Sequence, residues 1–139
     1  YDIAIKAFDE LCSSVLNEFN VDLAEGSRFY EIMSEIKYNS MKNPLESISD
    51  MFQRNYLVSN IGKILEQDLS MFTLRFVTRG KVPNQDEWFD ITIEPDILMP
   101  TQRYAISIVF RSKDKSVVER FGEKLESNLL KIIETIEGS

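Results

Sequence analysis

A chain of 139 residues, 43% hydrophobic and 28% charged, is long enough to bury one core without staples and too apolar to stay disordered. Its net charge of −7 repels a phosphate backbone, which argues against nucleic-acid binding. The lack of any histidine removes Ser-His-Asp and Cys-His nucleophiles, the usual proton shuttle near neutral pH and the commonest transition-metal ligand.

The single cysteine adds that no internal disulfide and no structural zinc site is expected. Cys12 lies in an apolar helical pattern with no basic residue at positions 11, 13, 15 or 16, so it reads as a small buried hydrophobe rather than a reactive thiol. A cytoplasmic protein is the expectation. No apolar run approaches about 18 residues and no basic stretch leads into an apolar one, so neither a membrane span nor a signal peptide is expected. The chain starts at Tyr1, which leaves open an upstream segment that has been removed. Charge is unevenly spread: residues 1 to 70 carry 6 Lys and Arg against 12 Asp and Glu, or −6, while residues 71 to 139 carry 10 against 11, or −1.

In chain order, Ala4, Phe8, Leu11, Val15 and Phe19 recur at steps of three and four and predict a first helix over residues 2 to 19. Residues 20 to 26 read as a connector. Ser27 then suits the cap of a second helix, with Phe29, Ile32, Met33 and Ile36 on its apolar side, running to about Met41. Asn43, Pro44 and Glu46 form a clear helix start: a side-chain acceptor, a residue that needs no N–H, and an acid facing the helix dipole. The third helix, residues 44 to 66, is expected to bury Leu45, Ile48, Met51 and Phe52, followed by Tyr56, Leu57, Ile61, Ile64 and Leu65, and its weaker pattern near Gly62 predicts a kink or a break into two helices there.

From Met71 the period changes to two. Phe72, Leu74 and Phe76, then Phe89, Ile91 and Ile93, then Tyr104, Ile106, Ile108 and Phe110 mark three strands with short connectors, hence an antiparallel meander. Ser116 to Glu119 fits a capping box, and Val118, Phe121, Leu125, Leu129, Ile132, Ile133 and Ile136 trace a long last helix. The expected fold is one α+β domain over residues 1 to 139: three or four N-terminal helices, a three-stranded antiparallel meander, and a C-terminal helix on one sheet face.

Few residues suggest chemistry. Asp90 and Glu94 are four apart on one strand, about 13 Å at 3.4 Å per residue, too far for a catalytic pair or a shared metal. They read instead as partners for Arg75 or Arg111. The Ser112-to-Lys115 match to S-x-x-K lacks the companion motifs of serine acyl enzymes, and Gly62-Lys63 lacks the first glycine of a phosphate loop. In a meander, Arg79, Lys81, Arg111, Lys113 and Lys115 would gather at one sheet edge near Asp86 and Glu87, either a basic patch for an anion or a neutralised hairpin end.

The second sheet face holds Thr73, Arg75, Val77, Trp88, Thr92, Ala105, Ser107 and Val109, with less charge than a solvated face usually shows. A helix, a second subunit or a ligand would cover it. Two functions follow. One is a non-enzymatic interaction or assembly domain, a homodimer pairing through this face, an edge strand or a helix stripe. The other is a binder of a small anionic ligand, or an enzyme dependent on one, with Trp88 and Tyr104 as walls and Arg75, Arg79 or Arg111 on the anion; Asp90 belongs to the same candidate surface. No catalytic residue, metal site or cofactor is expected, and neither is a nucleic-acid or membrane partner.

Overall fold

The computed structural model describes residues 2–19, 29–52, 55–83 and 85–138. Its elements are α1 (Asp2–Phe19), β1 (Tyr30–Asn39), α2 (Pro44–Phe52), α3 (Tyr56–Leu65), β2 (Leu74–Val77), β3 (Trp88–Pro95), β4 (Arg103–Ser112) and α4 (Lys115–Ile136). The sheet has four antiparallel strands in the order β1-β4-β3-β2. The predicted meander is β2-β3-β4, and β1 adds a fourth strand along the free side of β4.

That strand replaces the expected second helix. Ile32, Met33 and Ile36 fit a helical step, but Tyr30, Ile32, Ser34, Ile36 and Tyr38 also alternate with Glu31, Met33, Glu35, Lys37 and Asn39. The competition is settled by a partner far along the chain: β4 offers a complete ladder from Tyr30 opposite Ser112 to Asn39 opposite Arg103. Aromatic and β-branched side chains suit that pleated surface better than a helix. The expected Ser27 cap and the connector over 20 to 26 lie outside the described residues.

The register puts Ile36, Tyr38, Tyr104, Ile106, Ile108, Phe89, Ile91, Ile93 and Leu74 on one face, with α2 and α4 over it. Ile48 of α2 and Leu129, Ile133 and Ile136 of α4 close the core, and the Phe121 ring stacks on Phe110 at 4.2 Å. Each such aliphatic side chain contributes about 1.5–3 kcal/mol by leaving water. The long C-terminal helix therefore packs on the apolar face as its stripe predicts.

Caps explain where the helices begin. Asn43 Oδ1 accepts from Leu45 N at 3.1 Å, with Pro44 in the first helical position. The expected kink near Gly62 lies earlier: α2 ends at Phe52, and Asn55 caps α3 by accepting from Leu57 N at 2.9 Å. Gly62 lies within a continuous α3, which ends where Glu66 turns into the left-handed region at φ 53°. In α4 the cap is Asp114, accepting from Ser116 N at 2.8 Å, rather than Ser116 itself. The Asp114 carboxylate sits one residue outside the helix, where its oxygen reaches the second helical N–H.

Candidate interaction surface

The face opposite the core carries Glu31, Met33, Glu35 and Lys37 from β1, Ala105, Ser107, Val109 and Arg111 from β4, Trp88, Asp90, Thr92 and Glu94 from β3, and Arg75 and Val77 from β2. This is the predicted mixed face, widened by one strand. Midway along the strands its two edges are open: Met33 on β1 is 73% exposed and Val77 on β2 46%, and Ser107 also faces solvent. A shallow depression of about 230 Å³ lies among Glu35, Lys37, Thr92, Glu94 and Ser107.

Both ends of this face are locked by ion pairs. At one end Arg111 donates to Glu31 Oε2 at 2.6 Å and to the carbonyls of Pro83 and Gln85 at 3.0 and 3.1 Å. Its guanidinium carbon lies 4.2 Å from the centre of the Phe29 ring. One side chain thereby ties β1, β4 and the β2–β3 connector together, beside Trp88, which is its register partner and only 6% exposed. At the other end Asp96, 1% exposed, accepts from Lys37 Nζ at 2.9 Å, from Leu98 N at 3.2 Å and from Arg103. Asp96 is sealed by these partners rather than by depth in the core. The Lys37 hydrogen bond is the main cause holding its carboxyl below the usual carboxylate range.

The predicted site residues separate accordingly. Arg75 is clamped on Asp90 by hydrogen bonds of 3.1 and 2.6 Å, the cross-strand pairing expected of them, which raises the Arg75 pKa. Arg111 is engaged as above. Tyr104 lies on the opposite face, fully buried in the core, so it and Trp88 do not wall one pocket. Arg79 and Lys81 stand exposed at the turn around Gly80, without an ion pair among the described residues. The rest of the expected basic edge is neutralised: Lys113 pairs with Asp86 at 2.8 Å, Lys115 with Asp9 at 2.6 Å, and Glu87 accepts from Ser112 Oγ and Lys113 N.

Glu31, Met33, Glu35 and Lys37 were hidden by the helical reading of their segment, although the alternation of Tyr30, Ile32, Ile36 and Tyr38 with Glu31, Glu35 and Lys37, broken at Met33 and Ser34, marks them. Among the described residues no cluster of three or more Cys, Asp or Glu side chains is arranged to hold a metal ion, and no helix is long and apolar enough to cross a membrane.

A second open surface runs along α3. Its buried side is Gly62, while Leu57, Ile61, Ile64 and Leu65 form a stripe that faces outward, with Ile64 79% exposed. The expected continuation of the buried face through Tyr56, Leu57, Ile61, Ile64 and Leu65 is therefore overturned, since an amphipathic helix usually turns such a stripe inward.

These features define an α+β domain with one open sheet face and one outward apolar helix stripe. Compared with family models, with curated proteins and with solved structures, the chain matches none.

Proposed function

We propose that this chain is a non-enzymatic assembly domain that acts as a homodimer. The observation that carries the reading is the open mixed sheet face, on which apolar Met33 and Val77 stand in solvent between two ends locked by ion pairs. Apolar surface of this kind, rimmed by polar groups, is what interfaces cover. The arginines Arg75 and Arg111 are already occupied by carboxylates of the same chain, which favours a positioning role over capture of an anionic ligand.

Light scattering at about 100 μM, where micromolar contacts are populated, tests this. A mass of twice the chain is expected; a strict monomer at that concentration overturns the reading.

A further inference from the structure

We infer that β1 is the dimer seam: two copies pair β1 with β1 antiparallel about a twofold axis at Ser34, joining two four-stranded sheets into one of eight. This rests on the homodimer reading and assigns the contact to β1, the edge strand that carries Met33, while Val77 on β2 at the far edge stays outside the seam.

Among the described residues the edge is open: β1 runs over ten residues, β4 is its only strand partner, and no backbone hydrogen bond joins its outer side to another segment. The direction of its free groups follows from the ladder. Ser40 N donates to Gln102 O at 2.8 Å in the same register, so even-numbered residues turn their backbone groups toward β4 and odd-numbered ones turn theirs outward. Glu31, Met33, Glu35 and Lys37 therefore present unpaired N–H and C=O groups to the outside.

Edges with charged side chains usually discourage a visiting strand. In β1 the charges select one register instead. With the axis at Ser34, Glu31 faces Lys37 of the second copy on the open face, twice by symmetry, and Met33 faces Glu35. On the core face Ile32 meets Ile36, Tyr30 meets Tyr38, and Ser34 meets itself. Moving the axis by one residue in either direction, to Met33 or to Glu35, keeps the faces matched but puts a glutamate opposite a glutamate. Moving it to Ile36 pairs Glu35 with Lys37, yet shortens the ladder to Met33–Asn39 and sets Tyr38 against Ser34. A parallel pairing in register sets every charge against its like. Opposite charges and apolar pairs directly across strands each stabilise, and like charges oppose.

The existing ion pairs are compatible with this arrangement. The Lys37 side chain is 55% exposed while bound to Asp96, and an ammonium has three donors, so a second carboxylate has access. The result is a charge network across the seam, Asp96 to Lys37 to Glu31 of the second copy to its Arg111.

The test uses a Cys12→Ser background. In this register Ser34 forms a non-hydrogen-bonded pair with its own copy, Cα atoms about 4.5 Å apart, within disulfide range. Ser34→Cys is expected to convert fully to a covalent dimer under mild oxidation by oxidised glutathione. Ile36→Cys is not, because its two copies stand about 13 Å apart. Met33→Pro removes only an outward N–H and leaves the β4 ladder intact, so it should halve the mass at about 100 μM while the far-UV spectrum is kept. Glu35→Pro does the same at the next outward position.

Three results overturn the inference. A dimer that survives both proline variants, with Ser34→Cys uncrosslinked, places the seam elsewhere and leaves the homodimer reading standing. Crosslinking through Ile36→Cys in place of Ser34→Cys overturns the register. A wild-type monomer overturns the seam and the homodimer together.

Discussion

Lys37 and Asp96 form an ion pair of 2.9 Å that reaches across β4, since Lys37 stands on β1 and Asp96 directly follows β3. The pair ties the edge strand to the far hairpin. Because the Asp96 carboxyl is held below the usual range in the folded chain, the unfolded chain takes up its proton first as pH falls. The stability it contributes is therefore fully present above the ordinary Asp value, about 3.9, and is lost as pH drops through the lowered folded value. Asp96→Asn is expected to be less stable at neutral pH and to show a flatter acid limb. Urea midpoints measured at several pH values for both chains check this; parallel acid limbs would assign the acid sensitivity to another carboxylate.

Arg111 makes its contacts as a planar fork, to Glu31 on one side and to the carbonyls of Pro83 and Gln85 on the other. Arg111→Ala is expected to lower stability by about 1.5–3 kcal/mol, the range for hydrogen bonds to charged groups. Arg111→Lys should recover little of it, since an ammonium lacks the fork. Trp88 is the only tryptophan and lies buried beside Arg111, so its fluorescence reports the site directly. A red shift in Arg111→Ala is expected from loss of its cover. An unchanged emission maximum would show that the connector holds its place without the arginine.

What the sequence revealed follows the range of the interactions. The strands β2, β3 and β4 and the helix α4 were legible because each carries an uninterrupted period: Ile91 and Ile93 at two, Leu129, Ile133 and Ile136 at three and four. The mixed face was legible for the same reason, since a period of two sorts Arg75, Trp88 and Ser107 to one side without knowledge of strand order. β1 was not, because Ile32 and Ile36 satisfy both periods and the tie is broken by their partners Phe110 and Ile106, far along the chain. The site residues suffered from the same nonlocality. Arg111 looked available because Glu31 was assigned to a helix, and Tyr104 looked like a pocket wall although its even position assigns it to the core face with Ile106 and Ile108.

Tyr104 carries a buried hydroxyl with no hydrogen-bond partner among the described residues, and burial raises its pKa. Ser47 and Ser40 lie near enough to oppose that rise without closing a bond of good geometry, and the Ser40 hydroxyl is directed at Glu137. An unpaired buried hydroxyl is destabilising by about 1–3 kcal/mol, so Tyr104→Phe should leave stability unchanged or raise it. Thermal unfolding decides the point. A loss of more than about 1 kcal/mol would show that the hydroxyl is hydrogen-bonded in solution.

Gly62 fixes how α3 sits. A Cβ built there would stand 2.8 Å from Gln67 O, a backbone atom, so this side of the helix approaches the following turn too closely for any side chain. The same turn closes α3, with the N–H groups of Glu66 and Gln67 both donating to Gly62 O. Helix propensity alone favours alanine over glycine by about 1 kcal/mol. The clash opposes it, and relieving the clash moves the segment that caps the helix. Gly62→Ala is therefore expected to be destabilised by about 1–3 kcal/mol, the usual penalty for overpacking. The outward stripe gives the control. Ile64→Gln, at a side chain 79% exposed, should change stability by no more than about 0.5 kcal/mol, while Ile108→Ala, in the core, should lose about 2–5 kcal/mol. Chemical denaturation of the three variants at micromolar concentration checks the order. If Ile64→Gln proves as costly as Ile108→Ala, the stripe is covered in the folded chain and α3 does not lie as described.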